Sequence, residues 1–134
     1  MDIVTEPKPL RPKPLIWMGS TKKALRALPA DVMDIFGYAL FLAQVGKRHE
    51  SSKVLRGFGD ASVLELIQSR ARNTYRAVYT VRFEAAVFVV HVFQKKSTSG
   101  GETPKRDMDL IVDRLKRAAD IAREQKLVKS EHKS

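Results

Sequence analysis

The sequence predicts an α+β domain in which a helical hairpin and a C-terminal helix pack on a curved antiparallel sheet. Three observations lead to this fold class. An apolar stripe at helical spacing follows Pro29, period-two alternation runs from Thr74 to Phe83, and a second helical stripe follows Pro104. The predicted order is one strand, two helices, three or four strands and a helix, which is typical of α+β architecture.

Residues 1–14 are predicted to form an extended, Pro-rich arm. They hold four of the six prolines of the chain, and alternating X-Pro pairs favour extended backbone because proline fixes φ and restricts the residue before it. The folded domain is assigned to residues 15–124, beginning with a short apolar strand at Leu15-Ile16-Trp17-Met18. Residues 125–134 are predicted to be a polar tail.

Two helices are predicted between Ser20 and Gly46. Ser20 is a suitable N-cap for a helix from about Thr21 to Leu28. Pro29 suits the first turn of a second helix, and Gly46 suits its C-terminal cap. The apolar residues of this second helix recur at spacings of three and four, which predicts one buried stripe. They are Val32, Ile35, Phe36, Ala39, Leu40 and Ala43.

Strands are predicted at Val54-Leu55, Val63–Ile67, Thr74–Phe83 and Val87–Phe93. Alternation puts Tyr75 and Tyr79 on one face of the third of these strands and Arg76 on the other.

A turn centred near Ala85 would place Arg76 across from Gln94, with Lys96 close by on the same face. This register groups two cations on neighbouring strands.

The last helix is predicted to start at Pro104, with Thr103 as its cap. Its buried face is predicted to hold Met108, Ile111, Leu115, Ala118 and Ala122. All three helices are expected on the apolar side of the sheet, since each has one stripe to bury.

Composition limits the classes of function. The 134-residue chain is 43% apolar, which is enough for one domain with a real core. Its net charge of +10 favours an anionic partner, such as nucleic acid or an acidic protein segment. The chain has no cysteine, which excludes disulfides, cysteine-based zinc sites and thiol nucleophiles. The sequence shows no signal peptide and no membrane span, and it suggests no cofactor, so a cytoplasmic protein is expected.

The order of these elements resembles the RelE/ParE toxin superfamily, and most closely its HigB-like, phage-derived branch. The similar segments are Leu64-Glu65-Leu66, Tyr75-Arg76 with Tyr79, and His91–Lys96 before Thr103-Pro104. The resemblance covers about residues 15–120. It implies a RelE-like fold and a toxin of a type II toxin–antitoxin system whose partner is a cognate antitoxin of the helix-turn-helix type. The RelE and HigB branches cleave mRNA on the ribosome, whereas the ParE branch inhibits DNA gyrase.

The resemblance also implies a site. RNA cleavage without a metal uses the 2′-hydroxyl as nucleophile and needs a proton acceptor, cations on the phosphorane and a donor for the 5′-oxygen. No Asp, His and Glu cluster has metal-ligand spacing. Arg76 matches the strand arginine that contacts the scissile phosphate, and Lys96 matches the second cation. The residues expected to hold neighbouring phosphates or ribosomal RNA are Arg70, Arg72 and Lys95.

Glu65 is a candidate general base, and the equally weighted alternative is a structural ion pair between Glu65 and a neighbouring arginine. For His91 a buried, hydrogen-bonded role is favoured over a catalytic one. Ile67 stands where the family often has a basic residue, and the C-terminal tyrosine of some RelE members has no counterpart after Lys96. The general acid and base therefore stay open.

The resemblance thus implies a ribosome-dependent mRNA endoribonuclease with ribosome and mRNA as partners. Two alternatives remain at this point. One is a ParE-like gyrase inhibitor without chemistry of its own, and the other is a non-toxic, phage-derived nucleic-acid-binding protein.

Overall fold

The computed structural model describes residues 11–95 and 103–132, and within these ranges it contains one five-stranded sheet and three helices. The strands are β1 Leu15–Trp17, β2 Lys53–Val54, β3 Val63–Arg70, β4 Asn73–Thr80 and β5 Val87–Lys95. The helices are α1 Thr21–Arg26, α2 Ala30–Gln44 and α3 Lys105–His132. None of the helices described is long and apolar enough to cross a membrane.

The sheet has the strand order β1-β5-β4-β3-β2. The pairs β2–β3, β3–β4 and β4–β5 are antiparallel. Strand β1 pairs with the edge of β5 in parallel. Lys13 exchanges two hydrogen bonds with Gln44 at the end of α2, so the end of the predicted arm is tied to the helical hairpin. The predicted α+β class, with an N-terminal helical hairpin and a C-terminal helix, is confirmed.

The helices cover both faces of the sheet. On the first face, α1 and α2 pack through the apolar side chains Leu25, Val32, Phe36, Ala39, Leu40 and Ala43. On the second face, α3 packs through Ile111, Leu115 and Ala118 against strand residues Val63, Val78, Phe88 and Val90. The prediction that all three helices share one face is therefore wrong. The uninterrupted apolar run Val87-Phe88-Val89-Val90 indicates burial of both sheet faces, because a strand that is buried on both faces does not alternate between apolar and polar residues.

The pairing of β4 with β5 differs from the predicted register by one residue. Arg76 pairs with Phe93, and Gln94 pairs with Tyr75 on the opposite face. Thr80 pairs with Phe88, so the β4–β5 connection is centred on Glu84, one residue before the predicted Ala85. A register shift at Val78/Tyr79 then leaves Val90 as an extra residue in β5, which is a β-bulge. Lys96 lies outside the described residues.

The β3–β4 hairpin closes with only two residues, Ala71 and Arg72, because Arg70 pairs with Asn73. Ala71 has φ of 54°, and in the described part of the chain it is the sole non-glycine residue with positive φ. A side chain in this left-handed region is strained by about 1–2 kcal/mol, and glycine is not.

We therefore expect Ala71→Gly to raise the free energy of unfolding by up to about 1 kcal/mol, since relief of strain exceeds the extra entropy of the unfolded glycine. Urea denaturation of both proteins measures the difference. Ala61→Gly is the control, because Ala61 is also exposed and has no positive φ, and it should be neutral or destabilising. Equal changes in the two variants would contradict the assignment of strain to Ala71.

Candidate functional site between the sheet and helix α3

The centre of the second face holds a buried ion pair between neighbouring strands. The Arg76 Nη1 atom donates to Glu65 Oε2 at 3.2 Å. Glu65 pairs with Val78, and Arg76 pairs with Ile67, so the two side chains share a face and meet diagonally. Arg76 is only 1% exposed, although the alternation of β4 had suggested a side chain facing away from the core. The structural ion pair considered for Glu65 is thus present.

The residues just before and within α3 lie over this pair. The Thr103 hydroxyl, predicted as a helix cap, donates to Glu65 Oε2 at 3.1 Å. The same carboxylate oxygen therefore accepts from both Arg76 and Thr103, which ties the start of the α3 segment to β3. Hydrogen bonds to a carboxylate are strong when buried, and they fix its orientation.

His91 makes a second link between the sheet and α3. Its Nε2 atom lies 2.8 Å from Asp107 Oδ1, and its Nδ1 atom lies 3.5 Å from Arg114 Nη1. Since arginine only donates, Nδ1 is the acceptor in its contact with Arg114, and Nε2 faces the Asp107 carboxylate as the donor. Arg114 also donates to the Val90 carbonyl at 2.9 Å. The ring of His91 stacks on Phe93 with a centroid distance of 4.5 Å.

The expectation that His91 is hydrogen-bonded is confirmed, and its side chain is half-buried rather than fully buried. The bulge at Val90 turns His91 toward α3, while Val89 stays in the core against α1 and α2. His91 pairs with Val78, the same β4 residue that pairs with Glu65 on its other side. Glu65 and His91 therefore flank β4 at one level of the sheet.

The cations predicted to bind RNA lie toward the hairpin end of the same sheet. Lys95 pairs with Thr74 and alternates onto the face of Arg76. Arg72 is exposed in the β3–β4 turn. The guanidinium of Arg70 is held by Asp31 of α2 and by the Ser69 carbonyl.

The hydrogen bond from Arg70 lowers the pKa of the Asp31 carboxyl. Arg70 is therefore partly engaged on the protein, while Arg72 presents its charge to solvent.

Of the predicted site residues, the structure brings Glu65 and Arg76 into direct contact and puts Lys95 on their face. Sequence reasoning missed Thr103, Asp107 and Arg114 as partners of the sheet. The seven-residue spacing of Asp107 and Arg114 was the available signal for these two, since residues at that interval lie along one helix face.

The side chains at this site are of the types that can accept a proton and bind an anion. A carboxylate can accept a proton from a hydroxyl, and a guanidinium can donate two parallel hydrogen bonds to a phosphate. Within the ranges that the structure describes, no group of three or more His, Cys, Asp or Glu side chains could hold a metal ion.

The class of protein follows from this fold together with a family match. Residues 23–116, from α1 into the middle of α3, match the family described as Phage derived protein Gp49-like (DUF891). The match covers more than half of the chain, so the chain belongs to this family. The family is part of the RelE/toxin-like group, whose members are typically paired with an antitoxin. No curated protein and no solved structure matches the chain.

Proposed function

We propose that this chain is the toxin of a type II toxin–antitoxin pair and that it cleaves mRNA on the ribosome. One observation carries the proposal. A carboxylate, Glu65, and a guanidinium, Arg76, touch on the sheet face that also bears Lys95. A proton acceptor beside a phosphate-binding cation is what cleavage by the 2′-hydroxyl needs.

In the proposed reaction, Glu65 takes the proton of the 2′-hydroxyl as the 2′-oxygen bonds to phosphorus. Arg76 donates to the non-bridging oxygens, where negative charge grows, and Lys96 supplies a second cation there. The bond from phosphorus to the 5′-oxygen breaks, which leaves a 2′,3′-cyclic phosphate and a 5′-hydroxyl once that oxygen gains a proton. Lys95 and Arg72 hold flanking phosphates.

The burial of Arg76 and its ion pair with Glu65 mean that RNA can reach Arg76 only after a rearrangement. Arg76 is covered, and its charge is balanced by Glu65 before RNA arrives. A scissile phosphate would replace the Glu65 carboxylate as the partner of Arg76, and this exchange frees Glu65 to accept the proton. Thr103 must release Glu65 in the same step, so the start of the α3 segment has to move when RNA binds.

A second function is favoured by one specific observation. Both Glu65 and Arg76 are buried in the free protein, as expected for a structural pair in a protein that acts by binding alone. Inhibition of DNA gyrase, the activity of the ParE branch, fits such a protein. The two functions differ in which process fails first in the cell.

Induction of the chain without its antitoxin should arrest growth, and protein synthesis should fall before DNA synthesis. Pulse labelling with an amino acid and with thymidine measures the order, and mapping of mRNA 5′ ends after induction measures cleavage. New 5′ ends within translated regions are expected. Early loss of DNA synthesis with double-strand breaks would support gyrase inhibition instead, and unimpaired growth at good expression would contradict both functions.

A further inference from the structure

Strand β2 places a lysine beside the Glu65 carboxylate. Lys53 pairs with Glu65 across the β2–β3 ladder, so their side chains share one sheet face and their Cα atoms lie about 5 Å apart. This is the face that α3 covers, because Leu55, two residues after Lys53, packs against the cluster on that face. Glu65 therefore has a cation on each neighbouring strand, Arg76 on β4 and Lys53 on β2.

Lys53 is exposed although it lies beside a carboxylate. It forms no ion pair with any other residue that the structure describes. The acidic residue nearest to it in the chain is Glu50, which is exposed as well. Glu65, in contrast, is only 8% exposed and accepts hydrogen bonds from Arg76 and Thr103. The described chain thus holds a solvated cation in register with a buried carboxylate.

Binding of RNA as proposed would leave Glu65 without its cation. In that reaction the scissile phosphate takes the Arg76 guanidinium, and Thr103 releases the carboxylate. A buried carboxylate that loses its cation is strongly destabilised, and a phosphate close by adds a like charge that favours protonation of the carboxylate. A protonated Glu65 could not accept the proton of the 2′-hydroxyl. The reaction therefore needs a second cation beside Glu65 while Arg76 is on the phosphate.

The other charged side chains around Glu65 do not fill this role. His91, at the same level of the sheet, lies on the far side of β4 and is bonded to Asp107 of α3. Lys105 and Arg106, in the first turn of α3, are exposed, and they belong to the segment that has to move when RNA binds. Strand β2 stays hydrogen-bonded to β3, so its lysine keeps its place.

We propose that Lys53 is a positioning residue that replaces Arg76 as the cation of Glu65 when RNA binds. The lysine ammonium is a compact charge on a flexible stem, so it can swing from solvent onto the carboxylate without movement of a strand. There it keeps Glu65 ionised until the 2′-hydroxyl gives up its proton. This inference rests on the proposed RNA cleavage and supplies the step between phosphate binding and proton transfer.

The first test needs no RNA. Lys53→Met should lower the melting temperature of the wild-type chain by less than about 1 °C, because an exposed charge contributes little to stability. In an Arg76→Met background, where Lys53 is the remaining cation of Glu65, the same change should lower it by about 3 °C or more. Lys47→Met is the matched control, since Lys47 is also exposed, and its effect should be small in both backgrounds. Arg76→Gln, which keeps a donor to the carboxylate, is the background if Arg76→Met does not fold.

The second test follows cleavage of ribosome-bound mRNA as a function of pH. Lys53→Met should lose kcat at low pH, with the acidic limb of the profile shifted up by about one pH unit, because a carboxylate without a nearby cation takes up a proton more readily. KM should not change, since Lys53 does not hold RNA. Lys53→Arg should restore the wild-type profile, and Lys47→Met should leave it unchanged.

Two results would overturn the inference. One is an equal loss of melting temperature from Lys53→Met in both backgrounds. The other is an unchanged pH profile, and a rise in KM beside it would make Lys53 a contact for an RNA phosphate. A large loss in the Arg76→Met background, in a chain that cleaves no mRNA at any pH, would instead support the pairing of Lys53 with Glu65 and overturn the cleavage function. The two failures are therefore distinguishable.

Discussion

Arg76→Ala should lower the free energy of unfolding by about 3–5 kcal/mol and reduce mRNA cleavage by about 100-fold or more. The loss of stability is expected because the buried Glu65 carboxylate loses its cation. The loss of cleavage is expected because a donor to the phosphorane disappears. Denaturant unfolding and cleavage of ribosome-bound mRNA measure the two effects.

A double variant separates the two effects. Glu65→Leu with Arg76→Met replaces the ion pair by apolar side chains of similar size, and such replacements are often neutral or stabilising. The double variant should therefore recover most of the stability of the wild type and none of the cleavage. Wild-type cleavage by the stable double variant would remove Glu65 and Arg76 from the reaction. Wild-type stability of Arg76→Ala would contradict the burial of the pair.

Leu115→Asp should unfold the domain. Leu115 is buried in the cluster that joins α3 to the sheet, where it lies with Ile111, Val78 and Phe88. An unpaired carboxylate at such a position, together with the loss of apolar burial, costs several kcal/mol, which is comparable to the whole stability of a small domain.

Circular dichroism during heating measures this effect. Lys116→Asp is the control, because Lys116 is the exposed neighbour of Leu115 on the same helix, and it should melt close to the wild type. If Leu115→Asp melted at the wild-type temperature, α3 could not be packed on the sheet as described.

Helix positions were the most predictable part of this fold. Of the residues predicted to line α2 and α3, most are buried, and Ile35, Met108 and Ala122 are partly buried against the same clusters. A helix stripe depends on local spacing alone, so it can be seen without knowledge of the partner. The sequence also indicated that Glu65 could pair with a neighbouring arginine, because both lie on predicted adjacent strands.

The sequence by itself determined the α+β class, the order of elements and most of the residues on the buried faces of α2 and α3. Only the tertiary structure decided that helices cover both sheet faces, that Arg76 pairs with Phe93, and that Arg76 is buried against Glu65. These features depend on the bulge at Val90 and on contacts between residues such as Glu65 and Thr103, far apart in the chain. A shift of one residue exchanges the two faces of a strand, and alternation alone cannot tell whether a polar face meets solvent or another helix.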